Sequence, residues 1–312
     1  MEALNAGLAA LILALALWTI VAREAFAAVV SYLAFGLLLT LVWVQLRGVD
    51  VALTEAAIGG GLTGTLLIGA AARLRATEAG ARAENPSALL RIGALVLSVA
   101  VAAVLALGVL ALPQPAPTLA PEAMASIGMT GVHNPITAVL LAFRAMDTLL
   151  EAIVLVFALI GVWSLAPDAV WGGRPGPLHP ADPNGILAYI ARVLPPLGII
   201  VGICIFWIGA DQAGGKFQAA TILAAMWLLT IMAGLADTPP ISRRWLRIGI
   251  VVGPLVFIAI GIAGVVTAGA FLAYPAGYAK PLIIVVEIAL MPTLVLVLAL
   301  LLAGAPQRGA PP

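Results

Sequence analysis

The chain has 312 residues, of which 63% are hydrophobic and 9% are charged, and its formal net charge is +1. This composition excludes a soluble globular domain, because uncharged apolar runs of about 18 or more residues are typical of membrane-spanning helices. The near-neutral charge and the lack of a basic cluster exclude binding to nucleic acid. The single cysteine, Cys204, excludes a disulfide framework or a paired-cysteine metal site within the chain.

The apolar runs predict an all-α integral membrane protein with about nine transmembrane helices. The first run has no basic leading segment and no clear cleavage site, so we expect a retained helix rather than a signal peptide. Residues 113–135 and 166–185 interrupt the pattern with Pro, and the second of these, rich in Pro and Gly, is predicted to be a cytoplasmic linker. The predicted spans are approximately residues 4–21, 27–46, 51–72, 88–112, 143–165, 186–208, 217–236, 246–270 and 281–304.

The basic residues predict the orientation, because Lys and Arg concentrate in cytoplasmic loops. With the N-terminus outside, 11 of the 15 basic residues lie on the cytoplasmic side of the nine spans. Four lie on the outer side, namely Arg47, Arg144, Lys216 and Lys280. We therefore expect an outer N-terminus and a cytoplasmic C-terminus.

The stretch Thr137–Trp163 places charged residues inside an otherwise apolar run. It predicts one helix in which Arg144, Asp147 and Glu151, spaced i, i+3 and i+7, share a face. A carboxylate as deep as Glu151 costs roughly 2.5–3.5 kcal/mol to insert. That cost indicates a function or a partner, with Arg144 and Asp147 positioning the Glu151 carboxylate.

Two further acids, Glu55 and Glu287, lie within spans three and nine. In the predicted orientation both fall in the outer half of the bilayer, as Glu151 does. We expect these carboxylates to face protein or water and to form a cation or proton route that opens outward. Pro292 follows Glu287 by five residues and loosens the helix beside its carboxylate.

Each acid also has a structural interpretation, which the sequence leaves open. Asp147 is spaced to pair with Arg144 at the membrane interface. Glu55 has the position of an interhelical hydrogen-bonding group, and Glu287 is spaced to extend toward Lys280.

Several other patterns predict no chemistry. The Gly59–Gly64 segment lies inside a span without a preceding strand, so it predicts close helix packing or a π-bulge rather than a phosphate loop. His133 and His179 lie in loops with no second ligand, which argues against a metal site. No lysine is predicted in the middle of the membrane, and no set of residues indicates an enzyme.

Three parts of the chain resemble membrane domains of Mrp-type sodium/proton antiporters and related energy-converting complexes, such as membrane-bound hydrogenases. The segment DVALTEAAIGGGLTG is similar to the MbhD-type domain, which is itself similar to the NuoJ subunit of complex I. This resemblance implies that residues 1–76 form an MbhD-like module. Thr137–Trp163 resembles the MbhE-type pattern T-x-V-L-x-D-F-R-x-x-D-T-x-x-E, which implies that residues 88–165 form an MbhE-like module. Residues 186–304 resemble the MnhB-type domain, whose first hairpin carries approximately G-H-N-x-P-G-G-G-F.

The MnhB-type pattern is only partly kept. Phe217 and three glycines match, but Lys216 stands where the pattern has glycine, which indicates a divergent branch. The motif is expected in a short outer turn that contains Asp211, Gly214, Gly215 and Lys216.

The resemblance implies three modules of three, two and four helices, with residues 166–185 as a linker. It implies a non-catalytic membrane subunit of a multisubunit Na⁺/proton antiporter-type complex without a cofactor, in a bacterial or archaeal plasma membrane. It implies large proton-pumping subunits and a small NuoK-like subunit as partners, with Na⁺ or H⁺ as cargo. The alternatives are a structural bridging subunit of a redox- or reaction-driven proton-pumping complex, and a self-contained transporter.

Overall fold

A computed structural model describes residues 2–83, 87–115, 117–180, 182 and 184–309, with the backbone alone for residues 2 and 75–83. The α-helices are α1 (Glu2–Val21), α2 (Ala25–Gln45), α3 (Val49–Thr54), α4 (Gly64–Ala83), α5 (Ala88–Leu110), α6 (Ala120–Ser126), α7 (Pro135–Ala138), α8 (Ala145–Trp163), α9 (Ile186–Ile208), α10 (Lys216–Met232), α11 (Arg244–Ala268) and α12 (Ala279–Ala303). Other helical turns are the π-helices Glu55–Thr63 and Val139–Phe143 and the 3₁₀ turns Ile127–Thr130 and Asp168–Val170. Two short strands, β1 (Arg174–Pro175) and β2 (Pro306–Arg308), pair antiparallel.

The helices confirm the all-α membrane fold. Among the described residues, eight helices are long and apolar enough to cross a membrane, and α10 is a shorter apolar helix of 17 residues. These nine helices correspond to the nine predicted spans. Some predicted regions are only partly described. Met1 of the predicted first module and residues 181 and 183 of the predicted linker lie outside the described residues. The side chains of Arg75 and Arg82 also lie outside them.

Helix α12 lies at the centre of the molecule. It packs against α8, α10 and α11, and half of its span is buried. Leu141, Phe257, Ile283 and Leu290 belong to a buried core formed by α8, α11, α12 and the π-helix Val139–Phe143. Helices α1 to α4 form a second group, which contacts α10 through α3 and the π-helix Glu55–Thr63. Helix α5 buries none of its residues within this chain.

The connections between helices gather at two ends of the bundle. The first end carries the loops at residues 46–48, 131–134, 209–215 and 269–278. The second end carries residues 164–176, 233–243 and 304–309. Hydrogen bonds join the loops within each end, from His133 N–H to the Ala210 carbonyl at the first and from Ile241 N–H to the Gly173 carbonyl at the second.

The predicted single helix Thr137–Trp163 is wrong, because the chain breaks at Arg144. Arg144 has φ −129° and ψ 37°, outside helical geometry, and it separates the π-helix Val139–Phe143 from α8. The extra residue per turn leaves carbonyls without their usual partners. The Thr148 hydroxyl donates to the Leu140 carbonyl at 2.6 Å, and the Tyr274 hydroxyl donates to the Leu141 carbonyl at 2.8 Å. The segments before this break, Ala120–Thr130 and Pro135–Phe143, meet at 88° within the predicted interruption.

The glycine-rich run in the third span forms a π-helix, as one of the two sequence interpretations expected. It begins at Glu55 and ends at Thr63. A Cβ atom at Gly36 of α2 would lie 3.2 Å from the Glu55 Oε1 atom, and one at Gly59 would lie 2.5 Å from it. These glycines therefore leave room for the Glu55 carboxylate beside α2.

At the second end, one carboxylate holds the predicted linker and the chain's last strand together. Arg308 donates to both oxygens of Asp237, at 2.6 and 3.0 Å, and Arg174 donates to Asp237 Oδ2 at 2.9 Å. Thr238 completes the contact by donating its hydroxyl to the Pro175 carbonyl at 2.7 Å. The segment after α8 is therefore ordered against the rest of the chain.

Changing Asp237 to Asn is expected to lower the free energy of unfolding by about 1 kcal/mol at neutral pH. The hydrogen bond from Arg308 is the largest of the effects that hold the pKa of the Asp237 carboxyl below its ordinary value. Since the folded chain favours the ionised form, this stabilisation is complete above the unfolded pKa of about 4. It is lost as the pH falls through the lower folded pKa.

Unfolding midpoints of the two proteins, measured from about pH 7 to about pH 3, test this prediction. The gap between wild type and Asp237→Asn should stay constant near neutral pH and close in acid. A gap that widens in acid would contradict the assignment.

Candidate functional site

A buried lysine and a buried glutamate face each other between α10 and α12. The Lys216 Nζ atom lies 3.7 Å from Glu287 Oε1, and the two side chains are 4% and 5% exposed. Burying two charges is costly unless they compensate each other. Glu151 lines the same small cavity, of about 90 Å³, together with Lys216 and Glu287. Helices α8, α10 and α12 thus bring two acids and one amine together.

The position of Lys216 corrects one prediction. The sequence placed it in a short turn between two spans. Instead, Lys216 is the first residue of α10, and its side chain is buried toward Glu287. The physical reason is that Glu287 of α12 faces the first turn of α10, while the contacts of Asp50 with Asn134 and Gly214 fix the loop before it. Lys280, the predicted alternative partner of Glu287, pairs with Asp211 instead.

Glu287 also lines a second cavity. This cavity has a volume of about 250 Å³ and is lined by Phe206, Trp207, Ala210, Asp211, Lys280, Ile284 and Glu287. Asp211 lies in the loop after α9, and Lys280 lies in the first turn of α12, so the cavity extends from the first end to Glu287. Glu287 is therefore the residue that this cavity shares with the small cavity lined by Lys216 and Glu151.

Charged groups surround the mouth of the larger cavity. The Lys280 amine donates to both Asp211 oxygens, at 2.7 and 3.0 Å, and His133 Nδ1 lies 2.7 Å from Asp211 Oδ1. Hydrogen bonds from Lys280 and then His133 lower the pKa of the Asp211 carboxyl. Asp211 is therefore ionised at neutral pH, and the mouth carries an opposite-charge pair in contact with water.

A second hydrogen-bonded group joins the three predicted modules at the first end. The Asp50 carboxylate accepts from the Asn134 amide at 3.2 Å and from Gly214 N–H at 3.0 Å. Asn134 also donates to the Gly209 and Gln212 carbonyls, at 3.1 and 2.8 Å. The Gln218 amide donates to the Thr54 hydroxyl at 2.9 Å. These contacts fix the loop before α10, and with it the starting position of Lys216.

The shape of this loop requires glycine at positions 214 and 215 of the motif. Gly214 has φ +149° and Gly215 has φ +144°, values that side chains rarely adopt. A Cβ atom on Gly214 would also lie 2.6 Å from the Ile205 carbonyl oxygen. Asp211 lies at the other end of this turn, where its carboxylate faces Lys280.

The other predicted site residues lie apart from this cluster. Glu55 turns toward α2, while its neighbours Thr54 and Ile58 line the Lys216 cavity. Arg144 and Asp147 form an ion pair one turn apart, but both side chains are at least half exposed. The structure therefore brings Glu151 and Glu287 together and leaves Glu55, Arg144 and Asp147 outside the cavity.

Comparisons with known proteins agree with two of the three resemblances. Residues 10–76 match the MbhD family, which is the D component of MBH, and residues 186–305 match a domain related to the MnhB subunit of Na⁺/H⁺ antiporter. No curated protein sequence matches the chain.

Two solved structures share the fold. A chain of the Mrp complex from Dietzia sp. DQ12-45-1b is 21% identical, with a TM-score of 0.72, over 98% of this chain and 35% of its own. This protein therefore spans about a third of the length of that chain. A chain of an archaeal membrane-bound sulfane sulfur reductase is 21% identical, with a TM-score of 0.54, over 69% of this chain and 98% of its own. In one polypeptide, this chain joins a segment that matches the MbhD family to a segment that matches the MnhB-related domain.

Proposed function

We propose that this chain is a membrane subunit of a multisubunit cation/proton antiporter-type complex and that Glu287, Lys216 and Glu151 form part of its ion or proton pathway. The observation that carries the proposal is that Glu287 lines two cavities and is paired with a buried lysine. Intramembrane ionisable groups that face protein cavities mark ion routes and proton relays.

The pathway begins at the first end, which we propose faces outward. Asp211 and Lys280 hold the cavity mouth in contact with water, and the cavity leads from them to Glu287. A glutamate and a lysine in one dry site interconvert between an ion pair and a neutral pair when a proton passes from one to the other. A proton that binds the Glu287 carboxylate removes its negative charge. The Lys216 ammonium is thereby released toward Glu151.

Glu151 is the exit of this route. It lies on α8 and is exposed at the surface of the isolated chain, while still lining the Lys216 cavity. A carboxylate at membrane depth needs a polar neighbour. We propose that a neighbouring subunit supplies it, with antiporter-like subunits, including a small NuoK-like one, as the partners. The subunit itself is non-catalytic and resides in a bacterial or archaeal plasma membrane.

A second candidate function is that of a structural bridge in a redox- or reaction-driven complex. The hydrogen-bonded group around Asp50 and Asn134 favours it, because this group holds three modules together. The similarity to a chain of a membrane-bound sulfane sulfur reductase is a further reason to consider it. A bridging role needs no water-filled route to Glu287, and this requirement distinguishes the two functions.

Access to the larger cavity provides the test. In the assembled complex, with Cys204 replaced by Ser, an Ile284→Cys thiol is expected to react with a membrane-impermeant thiol reagent added from outside. Ile284 lines the cavity, so a cysteine thiol introduced at this position contacts water and can ionise. The matched control is Val285→Cys, the next residue on α12, whose side chain lies on the outer surface of the chain. It should not react, because a thiol surrounded by lipid or apolar protein stays protonated.

Absence of reaction at position 284 would favour the bridging role. Reaction only from the cytoplasmic side would reverse the proposed orientation.

A further inference from the structure

The Lys216 ammonium lies 3.7 Å from Glu287, in a cavity that Glu151 also lines and where a mobile cation would bind. We propose that Lys216 is a tethered cation that excludes Na⁺ from this site, so that the site transfers protons alone. This inference rests on the proposed function and specifies its cargo at these residues.

Charge is the first reason. Two carboxylates, Glu151 and Glu287, line one cavity of about 90 Å³, and two negative charges at that depth require a cation or protons. Lys216 supplies a positive charge 3.7 Å from Glu287, and Glu151 acts on the same ammonium electrostatically. The chain thus carries its own counter-charge.

The surroundings of the ammonium are the second reason. The Lys216 Nζ atom lies 5.4 Å from the centre of the Phe217 ring, within the range of a cation–π interaction. Hydrogen bonds from Gly215 N–H to the Ile205 carbonyl and from the Gln218 amide to Asp50 and Thr54 hold the first turn of α10, so the lysine side chain starts from a fixed position. The ammonium is therefore positioned by the chain rather than free to leave the site.

Repulsion is the third reason. A sodium ion that bound Glu287 here would share a cavity of about 90 Å³ with the Lys216 ammonium. At a separation of about 4 Å the repulsion between two unit charges in a protein interior weakens binding by about a thousand-fold. A proton does not meet this barrier, because it binds to a carboxylate and leaves no separate ion beside the lysine.

The test is the response of the purified full chain to Na⁺. Thermal unfolding midpoints are measured in lipid nanodiscs, in NaCl and in choline chloride at equal ionic strength. Wild type is expected to have the same midpoint in both salts. Lys216→Gly opens the position, and its midpoint is expected to rise in NaCl by roughly 5 °C at a concentration a hundred times the dissociation constant.

Two controls distinguish the effect of an empty position from the effect of a lost positive charge. Lys216→Met removes the charge but fills the space, so it is expected to show no Na⁺ response. Adding Glu287→Gln to Lys216→Gly removes one of the two carboxylates and is expected to abolish the response. If Lys216→Gly fails to fold, Lys216→Ala is measured in its place.

Two results would overturn the inference. One is a Na⁺-dependent rise in wild type that Glu287→Gln removes, and the other is no rise in a folded Lys216→Gly or Lys216→Ala chain. Neither depends on transport. A complex that transports normally without Glu287 contradicts the proposed function but leaves the binding result intact.

Discussion

Replacing Glu287 with Leu is expected to destabilise the chain by about 3–5 kcal/mol, because it leaves the Lys216 ammonium buried without a partner. Both side chains are almost fully enclosed, so water cannot take over the lost interaction. Replacing Lys216 with Met in the same chain removes the unpaired charge. The double variant is therefore expected to recover most of the lost stability, since apolar side chains of similar size replace a buried pair at little cost.

The free energy of unfolding of the four proteins, measured by denaturant titration in mixed micelles, gives the coupling between the two side chains. The matched control is the same cycle at Arg144 and Asp147, a pair whose side chains are at least half exposed. Coupling at the exposed pair should be at most about 1 kcal/mol. Independent effects at positions 216 and 287 would show that the buried pair does not form.

The membrane helices could be predicted from the sequence, because each span is long and apolar enough to be recognised without its neighbours. The nine predicted spans correspond to α1, α2, the run from α3 to α4, α5, and α8 to α12. The π-helix at Glu55 was one of the two interpretations that the sequence allowed, since four glycines in six residues weaken a regular helix.

The break at Arg144 could not be predicted from spacing. Arg144, Asp147 and Glu151 have helical spacing, and the charges gave no reason to expect an interruption. The π-helix is stabilised by hydrogen bonds to the Leu140 and Leu141 carbonyls, and one of the donors, Tyr274, lies 133 residues away in the sequence. Only the packing of the loop before α12 against this segment reveals the break.

The burial of Lys216 also depends on distant parts of the chain. In the sequence it follows two glycines, a pattern that is typical of a turn. Its burial results from α12, where Glu287 lies, and from the contacts of Asp50 with Asn134 and Gly214. The one available signal was the lysine itself, which replaces a glycine of the MnhB-type pattern.

Changing Glu287 to Gln is expected to reduce cation-coupled proton transport by the whole complex about a hundred-fold or more. The glutamine side chain has nearly the same shape and fills the same space, but it cannot gain or release a proton. Glu287 is the group common to the two cavities, so a route through both cavities includes its carboxylate. Glu151→Gln is expected to have a similar effect, because it removes the acceptor at the exit.

The most direct measurement is proton transport in inverted membrane vesicles that contain the complete complex, together with the amount of assembled complex in the same membranes. Asp168→Asn, at an exposed acid of the second end, serves as the control and should transport as wild type does. We predict that the Glu287→Gln chain transports at about a hundredth of the wild-type rate per assembled complex. Assembly with an unchanged transport rate would contradict a pathway through Glu287.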